Sequence, residues 1–275
     1  MAEVNEMQQI KDFRDEVDEL HQLLVAMPAA AWTAPTGFKA WTPEDIVQHL
    51  HHSDLMALAS ADGAEAFAAF RADMQARRAR GLTNVQATRE RLGDPQGAAL
   101  LDLWARTAAV LCDRLAGLAP ETRMPWAGPG MGLRMFATAR QMETWSHGQA
   151  IYDLLGENRP PAAPRLRNIA EIGVRTYGWT FRNRGQEPPG PQPEVRLETS
   201  FGEPWPWPGE GGLVAGDAIQ FCQVAAQTRN VRDTALRVQG AAAEAWMALA
   251  QCFAGPPETP PAPGTRVRAQ RRWEG

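Results

Sequence analysis

The sequence predicts an α+β protein, with a helix bundle over residues 1–156, a small α+β domain over 165–255 and a disordered tail over 256–275. Three observations carry this reading. Through the first half, apolar residues recur every three or four positions, the period of amphipathic helices. Near residue 160 the proline-rich "ENRPPAAPRLRN" interrupts that period, as joints between domains do. Beyond it a strand-like alternation enters, and 44% apolar residues in a 275-residue chain are enough for substantial cores.

In order along the chain, Met7, Ile10, Phe13, Val17, Leu20, Leu24 and Met27 mark the buried stripe of a first long helix. The turn-rich "PAAAWTAPTGFKAW" follows. A second helix starts at Thr42, whose side chain caps it, with Pro43 in the first helical position and Glu44 and Asp45 near the positive end of the helix dipole. "EAFAAFRADMQARRA" forms a third helix stopped by Gly81. "GAALLDLWARTAAVLCDRLAGL" forms another, with a stripe through Leu100, Leu103, Trp104, Ala108, Leu111 and Leu115. After the loop "APETRMPWAGPGMG" the last bundle helix carries "ARQMETWSHGQAIYDLLG" and ends at Gly156.

In the second domain, "NIAEIGVRTYGWTFRN" reads as a helix and "EVRLETS" as a half-buried strand. "GDAIQFCQVAAQTRN" is a helix capped by Asp217, "TALRVQG" a strand, and "AAAEAWMALAQCFAG" a helix closing before Gly255. The tail "PPETPPAPGTRVRAQRRWEG" holds too little apolar surface to order itself.

Composition excludes several function classes. A net charge of −4 with scattered basic residues does not track a phosphate backbone, so nucleic acid is not an expected partner. No apolar run reaches the roughly 20 residues that span a bilayer, and the acidic N-terminus does not read as a targeting peptide, so the expectation is a cytoplasmic protein without membrane contact. Cys112, Cys222 and Cys252, odd in number and widely spaced, suit neither a disulfide framework nor a metal knuckle. No heptad pattern is present; the expectation is a monomer, with a dimer open.

Of five histidines, four fall in two helical stretches: His49, His51 and His52 in the second helix, and His147 in the last bundle helix. Four residues turn a helix by about 40° net, so Glu143 and His147 share one face a turn apart. His52 lies on the flank of His49, whereas His51 points roughly 160° away from it. Two imidazoles and one carboxylate with an open position form a ligand set of catalytic zinc or another divalent metal. Asp45, Asp54 and Thr144 are candidates to orient the imidazoles. An i,i+4 Glu/His pair is also a common hydrogen-bonded pair, and three adjacent histidines are also a common wet surface patch, so spacing leaves both readings open.

Two segments together resemble a known family. "WTPEDIVQHLHHSD" is similar to the second helix of DinB-like bundles of the mycothiol-dependent maleylpyruvate isomerase type. "RQMETWSHGQAIYDLLG" is similar to that family's Arg-x-x-Glu-x-x-x-His segment on the last bundle helix. The resemblance implies a DinB-like four-helix bundle followed by a small sterol-carrier-protein-like α+β domain. It also implies a divalent metal, zinc in type, on His49, Glu143 and His147, and a low-molecular-weight thiol of the mycothiol kind. His51 and His52 have no counterpart in the pattern and stand as outer-shell or surface residues. The family's isomerase holds substrate carboxylates with an arginine of its second domain, a role that falls on Arg229 here. This chain departs from the pattern at "HGQAIYDLLG", where Asp153 comes six residues after the histidine, and at "PWAGPGMG", a candidate pocket wall. These departures point to a distinct subfamily.

The implied chemistry is that of a metal-dependent enzyme activating a thiol for transfer to, or isomerisation of, an electrophilic small molecule. Two other readings stay open at this point. One is a metal-dependent hydrolase. The other is a non-catalytic protein binding an apolar ligand, with the aromatic "EPWPWPG" lining its pocket.

Overall fold

The computed structural model describes residues 7–126, 130–161 and 163–270, and the chain divides into two units between Leu155 and Gly156. The first unit contains α1 (Gln8–Val25), a 3₁₀ turn (Ala29–Thr33), α2 (Pro43–Ala61), α3 (Ala64–Ala79), α4 (Asn84–Leu92) and α5 (Gly97–Ala116). A short antiparallel pair, β1 (Arg123–Met124) and β2 (Met131–Gly132), leads into α6 (Leu133–Leu155). Residues 127–129 of the loop expected to wall a pocket lie outside the described residues.

Four long helices close a ring: α2 packs on α5, α5 on α1, α1 on α6, and α6 on α2. Each buries its apolar stripe in one core that includes Phe13, Leu24, Ile46, Leu50, Trp104, Leu111, Phe136 and Ile151, all at 1% exposure or less. α3 and α4 lie outside the ring and form a satellite cluster of Phe70, Met74 and Ala87. The start of α2 is built as its sequence specifies. Thr42 Oγ1 accepts from Asp45 N at 3.1 Å and Asp45 Oδ2 accepts from Thr42 N at 2.9 Å, which satisfies two otherwise orphaned donors. Gly156, at φ 70°, ends α6 in the left-handed conformation that glycine adopts without strain.

α4 was not among the expected elements. Its signal was present in Thr83 and Gln86, which form a second capping box, but only Ala87 of the helix is fully buried, so no apolar stripe announced it.

The second unit holds α7 (Leu166–Arg175), α8 (Tyr177–Arg182), β3 (Glu194–Glu198), β4 (Trp205–Trp207), β5 (Leu213–Asp217), α9 (Ala218–Ala225), β6 (Arg237–Gln239) and α10 (Ala241–Met247). The sheet order is β4-β3-β5-β6, with β3 and β5 parallel and the outer pairs antiparallel. Val195, Leu197 and Val214 turn one face of the sheet inward, and α7 packs on α9. The α7/α9 contact is close at Gly173, where a Cβ would stand 3.0 Å from the Phe221 ring.

This unit departs from the expected elements at four points. The helix read over "NIAEIGVRTYGWTFRN" breaks at Thr176, whose hydroxyl donates to the Ile172 and Gly173 carbonyls. The aromatic "EPWPWPG" supplies edge strand β4, where Pro206 costs the sheet no ladder donor. β5 was not expected. The closing helix ends at Met247 instead of running to Gly255, because the chain turns back and Cys252 N bonds to Ala225 O at 2.9 Å.

Residues 256–270, expected to be disordered, run along the second unit, held by side chains instead of by an apolar face. Gln251 Nε2 donates to Pro256 O, Gln227 Nε2 to Glu258 O and Asn230 Nδ2 to Pro261 O, at 2.8–3.2 Å. Asp233 accepts from Gly264 N at 2.9 Å. Compositional rules weigh apolar burial and miss polar tethering of this kind. Residues 271–275 lie outside the described residues.

Candidate functional site

α2 and α6 bring His49, Glu143 and His147 to one point. One ligand atom from each lies within 4.8 Å of the others, and they are the one such His/Cys/Asp/Glu group among the described residues. Glu143 Oε2 stands 3.7 Å from His49 Nε2 and 3.4 Å from His147 Nε2, so the carboxylate oxygen faces both imidazoles. The side chains of His49, Glu143 and His147 are 31%, 27% and 12% exposed, so each is partly buried.

Burial raises the pKa of Glu143, but the facing His147 and His49 outweigh it and hold the carboxyl well below its ordinary value. Burial and the neighbouring His49 push His147 down to about 4, against the pull of Glu143. The group at neutral pH is therefore an ionised carboxylate beside a neutral His147 imidazole, the forms that ligate metals. His49 Nε2 is shut off from solvent and has no hydrogen-bond partner, an orphan that a cation would satisfy. The donor set and this orphan both fit a divalent ion of the zinc class.

The turn before α2 walls the group with aromatic rings. Phe38 packs edge-on to His147 at 5.0 Å, and Trp41 lies parallel to His147 at 6.0 Å and tilted against His49 at 5.4 Å. These rings are delivered by two consecutive left-handed residues, Lys39 at φ 51° and Ala40 at φ 56°, a conformation that costs non-glycine residues about 1 kcal/mol or more each. The turn is held by Trp41 N donating to Phe38 O at 2.8 Å and Thr36 N to Trp41 O at 2.9 Å. A small open pocket adjoins the site, lined by Trp41, Asp45, Gln48, His49, Thr88 and Arg89 among others. Gln48 donates through Nε2 to Asp94 Oδ1 and Pro95 O, while its buried Oε1 has no partner.

The other sequence candidates fall elsewhere. His51 and His52 are buried, at 6% and 9% exposure, so the surface reading does not hold for either. His52 packs on Phe70 at 5.1 Å, and burial with the charges of His49 and Arg91 lowers its pKa to about 3. Asp45 serves the α2 cap and accepts from Arg89 Nη2 at 2.9 Å, and Asp54 accepts from Arg140 and Trp104. Thr144 Oγ1 is buried without a partner. Asp45 and Asp54 are thus each engaged by an arginine, in place of the imidazole-orienting role expected of them. Arg229 follows α9 in the second unit, where its Nη1 donates to Thr228 O at 2.8 Å.

Fold and site together define an α+β chain whose helix bundle gathers a His/His/Glu group from two helices. A family model described as "Mycothiol maleylpyruvate isomerase N-terminal domain" matches residues 13–152. The uncharacterized proteins Rv0036c and MT0041 of two Mycobacterium tuberculosis strains, H37Rv and CDC 1551, are each 35% identical over 250 residues, covering 90% of this chain and 96% of theirs. The chain belongs to the mycothiol maleylpyruvate isomerase family. Crystal structures of the mycothiol-dependent maleylpyruvate isomerase and a mutant of it share the fold, with TM-scores of 0.50 and 0.51, 17% identity, and coverage of 80% of this chain and 88% of theirs. No helix among the described residues is long and apolar enough to cross a membrane.

Proposed function

We propose that this chain is a metal-dependent enzyme that activates a low-molecular-weight thiol, mycothiol in type, for isomerisation of or transfer to an electrophilic small molecule. The observation that carries the reading is the convergence of His49, Glu143 and His147 from two helices. Family membership supports the thiol, since the solved relatives are described as mycothiol-dependent. A divalent ion, zinc on this reading, supplies Lewis acidity that lowers a thiol's pKa and makes the thiolate available near neutrality.

The chain's own residues do the rest. Glu143 provides the negative charge that matches a cation, and neutral His147 presents a lone pair. Phe38 and Trp41 exclude water along one wall, which strengthens electrostatic interactions inside it. The unpartnered Gln48 Oε1 beside the pocket offers an acceptor to a polar group of a bound molecule. The catalytic part for Arg229 rests on the family resemblance, and Arg229→Ala is expected to raise KM for an anionic substrate with a smaller effect on kcat.

Titrating the cobalt-substituted protein with cysteine-containing thiols tests the reading. A thiolate-to-cobalt charge-transfer band is expected in the wild type and lost in His49→Ala. Silence with every small thiol in a cobalt-loaded protein rejects thiol activation and favours hydrolytic chemistry.

A further inference from the structure

The helices that bear the three ligands are joined by a buried ion pair whose placement bears on the site. Asp54 of α2 and Arg140 of α6 are 0% and 2% exposed. Arg140 donates to Asp54 Oδ1 from Nε at 3.0 Å and from Nη2 at 2.8 Å, and Trp104 of α5 donates to Asp54 Oδ2 at 3.1 Å. The main packing partner of α2 is α5 and that of α6 is α1, so direct contact between α2 and α6 is comparatively sparse.

The two helices run antiparallel, because Asp54, late in α2, meets Arg140, early in α6, while His49 meets the later Glu143 and His147. In the register that sets Asp54 opposite Arg140, position 49 falls opposite position 145, midway between Glu143 and His147. A slip of one residue would move His49 by ~1.5 Å along the axis and turn it by ~100°. Metal ligation tolerates about 0.2 Å. Apolar contacts are non-directional and permit sliding, whereas an arginine fork on a carboxylate has a defined geometry. Fixing register is also the best-attested use of a buried polar pair.

We propose that Asp54 and Arg140 are positioning residues for the metal site, setting the α2/α6 register that brings His49 to Glu143 and His147. The proposal rests on those three residues being the ligands. It makes the arginine of "RQMETWSHG" a distance-setting element that need not touch metal or substrate.

The test measures zinc affinity by competition with a chromophoric chelator, alongside urea unfolding of the apoprotein. Asp54→Asn/Arg140→Gln removes both charges together, leaves no isolated buried charge and keeps an acceptor for Trp104. It is expected to stay folded and to bind zinc at least tenfold more weakly than the wild type. A folded double variant with wild-type zinc affinity overturns the proposal, since a merely structural pair changes the unfolding midpoint and leaves the affinity of the folded protein alone. Should the double variant not fold, Arg140→Lys is read the same way, because it keeps the charge and loses the fork. A wild-type protein that takes up no zinc overturns the ligand assignment itself, and the positioning role falls with it.

Discussion

His52 shows how a single side chain links the neighbourhood of the site to solution conditions. Its imidazole is buried against Phe70, and its pKa of about 3 lies below the usual 6.5. Between those values the unfolded chain binds a proton that the folded chain does not, so unfolding is favoured as pH falls. Stability from this residue is complete above pH 6.5 and is lost as pH drops toward 3, by up to about 1.4 kcal/mol per pH unit. Urea midpoints at pH 7.5, 6 and 5 are expected to fall less steeply in His52→Gln than in the wild type. Parallel slopes would show that His52 is solvated. The same scale separates the three neighbouring histidines. His49 alone joins the proposed ligand group, because helical rotation sends His51 elsewhere and packing against Phe70 engages His52.

Individual elements place the site through their ends. Thr42, seven residues before His49, and Asp45, four before it, close the first turn of α2, and Thr42→Ala is expected to lower stability by about 1 kcal/mol in chemical denaturation. This cap, the first position of α2 and the end of α6 at Gly156 were all legible in the sequence, since each depends on residues within a few positions of one another. So was the sharing of one face by Glu143 and His147. Local patterns carried much less about what packs across the fold. The Phe38 and Trp41 rings reach the imidazoles through a left-handed Lys39–Ala40 pair, and neither position carries the glycine that would announce such a conformation. Asp54 and Arg140 are 86 positions apart in sequence, and nothing local pairs them. Residues 256–270 are tethered by polar side chains, whereas composition offers only their lack of apolar surface. Ending the chain after Gly255 is therefore expected to lower the thermal midpoint of the second unit; an unchanged midpoint would show that the tethers contribute nothing.

At the scale of the whole molecule, all three proposed ligands and the Asp54–Arg140 pair lie before Leu155, within the first of the two units. A fragment of residues 1–156 is expected to bind zinc with an affinity close to that of the full chain, as measured by chelator competition. A large loss would mean that the second unit shapes the site. The family model covers residues 13–152, and the two mycobacterial proteins 35% identical to this chain span 90% of it. On the proposed reading, His49, Glu143 and His147 together hold one divalent cation. Metal content after purification and zinc reloading, compared between wild type, His49→Ala, Glu143→Ala and His147→Ala, tests it most directly. About one zinc per wild-type chain is expected, by the three-ligand logic of catalytic zinc sites, with a steep loss in each folded variant. Equal metal content in all four proteins would contradict it.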